Sequence, residues 1–536
     1  MRHLRLYGSL RTVALIALIL WLGSEPAAAA RHKELTKRID AILARADVAR
    51  GFWGVEIEEL DTGVVVYSHD ADRLFTPASN TKLFTTAAAL ALIGPDYRVR
   101  TTVESATAPD KYGRLTGDLV LIGRGDPNLS GRTLPYNLKT ERPLSPTHVL
   151  EEIADQVVAH GVKVIDGDIV ADDSFFVYER YSEGWMQDDL VWQWGAPVSA
   201  LAVNDNVVFV NILPAERVGE RAFVSISPFA EYYRIDNRVL TSPEGSLPRK
   251  VFIQRQPGSN RLEIWGNIPL NDAGAGEALA IEEPAEFCAR LLWELLAKRG
   301  VVMYGRTRAR HAAMANQNTF SVTTNAPLGG DGGGNGGGNG SAGAEALPVP
   351  NPPVVLAQHE SQPLGLDIRV INKVSQNLHA EMLLRLLGRE KGSSGSVAGG
   401  LDVLRGFLTR ADVLPEEYAF SDGSGLSRQN LVSPKATVKL LRYAANQTWG
   451  AEYIDSLPLA GVDGTLASRF KTLPPGVVLR AKTGSLDHAN ALSGYLTTAR
   501  GDRLVFSIMG NNHTMPSKQA TEILDEIVRE AEHTHN

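Results

Sequence analysis

The stretch Leu83-Phe84-Thr85-Thr86-Ala87-Ala88-Ala89-Leu90-Ala91-Leu92 is apolar around almost its whole helical circumference. A helix of that kind must be covered on every side, so the rest of the chain has to build a core around it. Pro77 and Ser79 mark its start. Upstream, Trp53 to Leu60 and Val64 to His69 are alternating segments joined by Asp61-Thr62-Gly63, which predicts a β-hairpin.

The 536 residues are 43% hydrophobic and 21% charged, a globular composition that excludes a disordered chain. Repeated apolar runs of ~20 residues are absent from the sequence, which excludes a polytopic membrane protein. At ~150 residues per domain the length suggests three or four domains. Arg2, Arg5 and Arg11 precede the apolar run Val13 to Leu22, and Ala27-Ala28-Ala29-Ala30 follows it. That pattern is a secretory signal peptide cleaved near Ala29 or Ala30. Cleavage removes Arg2, Arg5, Arg11 and Glu25, leaving 51 basic against 60 acidic side chains, net −9. Such a surface is a poor partner for nucleic acid. The amphipathic C-terminal segment carries Glu522, Asp525, Glu526, Glu530 and Glu532 on its polar face, where a membrane-surface helix would be basic. Cys288, the one cysteine, lies in an apolar helical pattern and reads as a small buried hydrophobe. No cysteine lies near the cleavage site, so a soluble exported protein without a lipid or membrane anchor is expected.

From Val99 to Thr307 short strands predominate, interrupted by helices expected over Ser145 to His160 and Pro284 to Arg299, each followed by a Gly-Val strand start. Asp331 to Gly343 is a Gly/Asn tract and Pro348 to Pro353 is Pro-rich, a composition that cannot build a core. Helices are expected next at Leu378 to Leu387, Val397 to Leu408 and, behind the cap Ser433, Pro434 to Ala445. Val477 to Thr483, Ala491 to Thr498 and Leu504 to Gly510 read as strands, and a last helix follows Pro516.

Three short strings carry chemistry. Ser79-Asn80-Thr81-Lys82 opens the buried helix, Ser375-Gln376-Asn377 precedes another helix, and Lys482-Thr483-Gly484 sits on a late strand. Serine is a weak nucleophile and needs a base; residues three apart share a helix face, so Lys82 can reach the Ser79 hydroxyl. The amine must be neutral to take a proton, and burial together with the neighbouring cation Lys482 would lower its pKa. A helix N-terminus favours the negative charge developing at Ser79. Each string is weak alone; their order and structural contexts together match the penicillin-interacting serine acyl-transferases, the penicillin-binding proteins and serine β-lactamases.

The chain resembles, more narrowly, the D-alanyl-D-alanine carboxypeptidase/endopeptidase family of low-molecular-mass, type-4 penicillin-binding proteins. Beyond the triple, the likeness includes Gly123-Arg124-Gly125-Asp126-Pro127, Gly167 to Ser174, Asp422-Gly423-Ser424-Gly425-Leu426-Ser427 and Asp463-Gly464-Thr465-Leu466. Ser79 and Ser375 are 296 residues apart, as in a family that inserts extra domains between its first two motifs. The Gly/Asn tract from Asp331 is outside that pattern. The resemblance implies an α/β (α+β) fold: a penicillin-binding-protein/serine β-lactamase-like transpeptidase domain, an antiparallel sheet flanked by helices, with β-rich domains inserted. The expected division is 1–30 signal peptide, 31–98 first part of the catalytic domain, 99–307 insertion, 308–353 connection, and 354–536 second part.

Carried over residue by residue, the resemblance makes Ser79 the nucleophile and Lys82 its base. Ser375 and Asn377 would relay the leaving-group proton and bind the substrate amide. Lys482 and Thr483 would bind a terminal carboxylate, and Gly484 would let the peptide backbone approach the strand. The N–H groups of Ser79 and Ser485 would form the oxyanion hole. No cofactor or metal is implied. The implied substrates are peptidoglycan muropeptides in the periplasm or extracellular wall space, with β-lactams as inhibitors; a serine β-lactamase and a non-catalytic β-lactam or wall-binding module are the alternatives.

Rival chemistries fare worse. Asp61-Thr62-Gly63 is the aspartic-protease string, but no second copy exists to share a proton, and a hairpin turn explains it. Gly-x-Ser-x-Gly and His-Glu-x-x-His are absent from the sequence. His359 and His379 read as helix-surface or supporting residues. Asp422, Asp463 and Arg469 read as turn and loop scaffold, with contact between Arg469 and an anionic group of the peptide as an unfavoured option. Trp192 and Trp194 read as buried aromatics rather than cleft lining.

Overall fold

The computed structural model describes residues 31–136, 142–313 and 352–535, so the signal-peptide reading of 1–30 and the Gly/Asn tract lie outside the described residues. The hairpin forms as expected, with β1 (Phe52–Glu59) antiparallel to β2 (Val65–His69). It does not stand alone. The three late strands, β3 (Val478–Leu486), β4 (Ala489–Thr497) and β5 (Arg503–Asn511), complete a five-stranded antiparallel sheet in the order β2-β1-β5-β4-β3.

The period-2 alternation of these strands gives the sheet two buried faces. Val55, Ile57, Phe506, Ile508, Leu479 and Leu492 meet the apolar stripe Ile523, Leu524, Ile527 and Val528 of α4 (Ser517–His535), with Leu35 and Ile39 of the helix at residues 31–43. Val505, Met509, Ala491 and Tyr495 face the opposite way, towards α1 (Thr81–Leu92) and α3 (Pro434–Ala445). Ser433 caps α3, accepting from the Ala436 N–H at 3.0 Å. Around α1 the cover comes also from Leu364, Ile368 and Ile371 of the helix Leu364–Lys373 and from Leu383 and Leu387 of α2 (Asn377–Lys391). Thus the all-round apolar helix is enclosed as its sequence requires.

The segment between the first two motifs has its own core and its own sheets. A five-stranded sheet runs in the order Thr307–Ala312, Ile169–Val177, Leu119–Ile122, Arg100–Ser105, Val354–Glu360, with the helices His148–Ala159 and Pro284–Lys298 against it. The segment also holds three three-stranded sheets, one around Val207–Leu213, one around Arg261–Pro269 and one around Val164–Ile165. The first helix starts three residues later than expected, at His148. The two strand starts that follow the helices lie side by side, Val164 opposite Val302 and Ile165 opposite Met303. Cys288 is buried in this core, and burial pushes its thiol pKa up.

The expected boundary at 354 differs from the strand pairing. Val354–Glu360 pairs with Arg100–Ser105 and buries Leu356 and Ala357 in the core of the intervening segment, so the chain returns to the first body only at the helix that follows. Residues 308–312, expected as connection, belong to the same sheet through pairing with Ile169–Val177.

Ile527 is fully buried between α4 and the sheet. Ile527→Ala should cost about 2–5 kcal/mol through lost transfer energy and the cavity it leaves. Urea unfolding checks this; an unchanged midpoint would mean that α4 contributes little to holding the sheet.

Candidate active site

Ser79 lies in a tight turn, Ala78–Asn80, that leads directly into α1. Ala78 has a positive φ of 48°, costly for a residue with a Cβ, so the turn must be held from outside. Asn80 Nδ2 donates to Ser493 Oγ at 2.7 Å, and Thr81 Oγ1 donates to Ala78 O at 3.0 Å. Two glycines clamp it more closely. A Cβ at Gly425 would sit 1.8 Å from Ala78 O, and one at Gly484 would sit 2.5 Å from Pro77 O and 3.2 Å from Ser79 N. Gly484 therefore gives the β3 strand room to approach the Ser79 turn; the side freed of a Cβ faces the protein, not an incoming peptide as the sequence reading expected.

The structure brings the three strings together. Lys82 Nζ lies 2.9 Å from Ser79 Oγ, 2.7 Å from Asn377 Oδ1 and 2.6 Å from the Ser424 carbonyl oxygen. Asn377 Nδ2 donates to the Trp194 carbonyl at 2.9 Å, and since that oxygen can only accept, the amide orientation is fixed with Oδ1 towards Lys82. Ser375 adopts a left-handed φ of 64° that turns its hydroxyl to Lys482 Nζ at 2.9 Å. Lys482 also donates to Thr483 O at 2.8 Å, and Thr483 Oγ1 donates to Thr465 Oγ1 at 2.8 Å. Ser485 is exposed at the strand's end. Ser79, Ser375, Asn377 and Thr483 are half-buried, whereas Lys82 and Lys482 are 0% exposed. Lys482 thus has no surface of its own in the cleft and reaches it through Ser375 and its own strand. Beside Ser375 and Asn377 opens a cavity of about 300 Å³, walled also by Arg132, Arg142, Trp194 and Asp205.

Burial lowers the Lys82 amine to about 7, against the opposing pull of Asp422 and Glu381. An ordinary lysine is neutral in about one molecule in 10³ at pH 7, whereas an amine lowered to about 7 makes the neutral form of Lys82 readily available there. The effect expected of Lys482 on Lys82 appears at the other partner: burial and then the Lys82 charge hold Lys482 well below the usual lysine range.

Several supporting residues escaped the sequence reading. Glu381 Oε1 accepts from the N–H groups of Gly423 and Ser424 at 2.9 and 2.8 Å, fixing the loop whose carbonyl meets Lys82, and Arg385 pairs with the same carboxylate at 3.0 Å. The signal was there: two charged residues one helical turn apart inside an otherwise apolar stretch of α2. Asp422 is scaffold, as expected, accepting from the N–H groups of Gly425 and Ser427 at 2.8 and 2.7 Å. Asp463 is likewise held, in a buried pair with Lys373. Arg469 pairs with Asp525 of α4. Trp192 and Trp194 stack at 5.7 Å, and Trp194, 43% exposed, lines the cavity instead of being buried. His379 is fully buried between Asp367 and Asp205; His359 lies on a strand, not a helix. Asp61 pairs with Arg503 at the hairpin turn.

The sequence matches the D-Ala-D-Ala carboxypeptidase 3 (S13) family over residues 35–330 and 335–533. The chain belongs to that family. It is therefore a serine-type D-Ala-D-Ala carboxypeptidase of penicillin-binding-protein fold. A D-alanyl-D-alanine carboxypeptidase of Actinomadura sp. (strain R39) is 34% identical over 530 residues, covering 96% of this chain and 88% of the relative. D-alanyl-D-alanine carboxypeptidase DacB of Haemophilus influenzae is 24% identical over 458 residues, 84% of each chain. The crystal structure of penicillin binding protein 4 (dacB) from Haemophilus influenzae superposes with a TM-score of 0.73 at 22% identity, covering 94% of this chain and 99% of that one.

Gly484→Ala should push β3 and the Ser79 turn apart by several tenths of an ångström. Release of D-Ala from a D-Ala-D-Ala peptide is expected to fall about 10²-fold, as for comparable misplacements of reacting groups. Steady-state kinetics check it; wild-type turnover would show that the close approach is dispensable.

Proposed function

We propose that the chain is an exported DD-peptidase that cleaves the D-Ala-D-Ala bond, or a D-Ala cross-link, of peptidoglycan stem peptides through an acyl-enzyme on Ser79. One observation carries the reading. The two carbonyl oxygens beside Lys82, Asn377 Oδ1 and Ser424 O, take the two N–H groups of a neutral amine and leave its lone pair for the Ser79 hydroxyl. A base prepared in this way is what a serine nucleophile lacks on its own.

The steps follow from that geometry. Ser79 Oγ bonds to the carbonyl carbon of the penultimate D-Ala while its proton passes to Lys82. The oxyanion lies between the N–H groups of Ser79 and Ser485, at the positive end of α1. The C–N bond then breaks as the leaving nitrogen takes up, through the Ser375 hydroxyl that Lys482 holds, the proton Lys82 received, which returns the Lys82 amine to its neutral form. Thr483 and Lys482 favour the substrate carboxylate, and Asn377 favours the amide of the acyl portion. Water then bonds to the acyl carbon while its proton passes to the neutral Lys82 amine; the bond to Ser79 Oγ breaks, and Oγ takes that proton back from Lys82. β-Lactams present the same carbonyl with a leaving group that stays tethered, so they should acylate Ser79; the Haemophilus influenzae protein has been solved in complex with a β-lactam. Export through the N-terminal signal would bring this chemistry to the periplasm or extracellular wall space. Among the described residues no helix is long and apolar enough to cross a membrane.

Incubation with labelled penicillin and with a stem pentapeptide tests the proposal. A stable adduct and released D-Ala are expected, both abolished in Ser79→Ala. Rapid penicillin turnover would identify a β-lactamase instead, and no adduct would sink both readings.

The lowered Lys82 amine also sets a pH dependence. Below about 7 it is protonated and cannot accept the serine proton; above, it is free. The acylation rate should therefore rise through pH 7 to a plateau, and a flat profile between pH 5 and 9 would exclude Lys82 as the base.

A further inference from the structure

The second motif is held from outside the body that carries it. Gln376 Oε1 accepts from the Leu378 N–H at 2.9 Å, capping α2, and Gln376 Nε2 donates to Asp205 Oδ2 at 2.7 Å. Asp205 belongs to the segment between the first two motifs, as does Trp194, whose carbonyl holds the Asn377 amide. We propose that Asp205 is a positioning residue for acyl transfer, its carboxylate fixing Gln376 and through it the settings of Ser375 and Asn377 on either side.

The surroundings of Asp205 are those of a fixed anchor. Its side chain is 3% exposed, so neither water nor salt screens its contacts. Besides Gln376, Arg132 donates to it at 2.7 Å, Arg142 donates to it, and His379 Nε2 lies 3.2 Å away. The anchor extends behind the motif too, since His379 Nδ1 lies 2.7 Å from Asp367 and Asn128 Nδ2 donates to Asp367 at 3.1 Å. Burial would raise the Asp205 carboxyl pKa, but Arg132, Arg142 and His379 outweigh it and hold the group well below the usual range.

The backbone here is also unusual. Asn204, Asp205 and Asn206 have φ of 52°, 57° and 53°, three successive left-handed residues without a glycine. Such a run persists where its surroundings over-determine it. Asn204 Nδ2 donates to Val207 O and Asn206 Nδ2 to Pro197 O, each at 2.9 Å, so the flanking amides fix the turn and present the central carboxylate to the second motif. Ser375, two residues from Asn377, needs its own left-handed φ to meet Lys482, and a free Gln376 side chain would remove one restraint from that conformation.

The inference rests on Ser79 acylation, and its test separates the two. Asp205→Asn, Gln376→Ala and the double variant are compared with wild type for rate and final extent of acylation by labelled penicillin, and for kcat and KM of D-Ala release. For Asp205→Asn the final extent should stay stoichiometric, with kcat down about 10²-fold and KM nearly unchanged, the pattern of misaligned rather than missing groups. The double variant should be little slower than the slower single one, because both break one link. Wild-type rates in Asp205→Asn, or losses that multiply in the double variant, overturn the proposal. Should Asp205→Asn not fold, Gln376→Ala decides, at a half-buried position: an unchanged acylation rate overturns it. Wild-type protein that takes up no penicillin would overturn the peptidase reading and this inference together, whereas normal wild-type acylation with unaffected variants overturns only the inference.

Discussion

Everything in the cleft depends on an amine kept out of water. Lys82 is fully buried, and its neighbours are mostly carbonyl oxygens rather than carboxylates. A carboxylate in contact would have kept the amine charged; a site without acceptors would have left its N–H groups unpaired. Two carbonyls satisfy the neutral form, while Asp422 and Glu381 act from further off and keep the amine basic enough to take a proton. The Glu381 link to Gly423 and Ser424 serves this balance by holding one of the two carbonyls in place.

The same dependence explains the close packing around Ser79. Amine, hydroxyl and strand can share so small a space only if the backbone elements carrying them nearly touch, which the missing side chains at Gly425 and Gly484 permit. The strain at Ala78 and Ser375 is the counterpart: the first lies in the turn that carries Ser79, and the second turns its own hydroxyl to Lys482.

Much of this was legible in the sequence. The alternation of the five sheet strands, the all-round apolar α1 and the capped α3 are local signals, and the structure keeps them because the tertiary environment asks for the same thing. The three strings were readable because helix geometry sets the spacing of Ser79 and Lys82. What stayed hidden depends on partners hundreds of residues away. Nothing near Val354 reveals pairing with Arg100–Ser105, and nothing near Trp194 reveals that its backbone carbonyl will hold Asn377. Gly484 shows the limit from the other side: the need for a glycine was readable, but which neighbour required it was not.

The central sheet joins strands far apart in the sequence, with Trp53 opposite Gly510 across β1 and β5. During synthesis the hairpin emerges early and then waits for several hundred residues before its partner strand exists. Loop closure over such a distance is slow, and an unpaired strand edge is exposed throughout. The intervening segment, with a core of its own, can fold meanwhile and bring the distant ends towards each other. Because Lys482 follows Ser79 by 403 residues, a growing chain that has not yet reached β3 has no complete cleft, and the hydrolase comes into being only once that strand has been made.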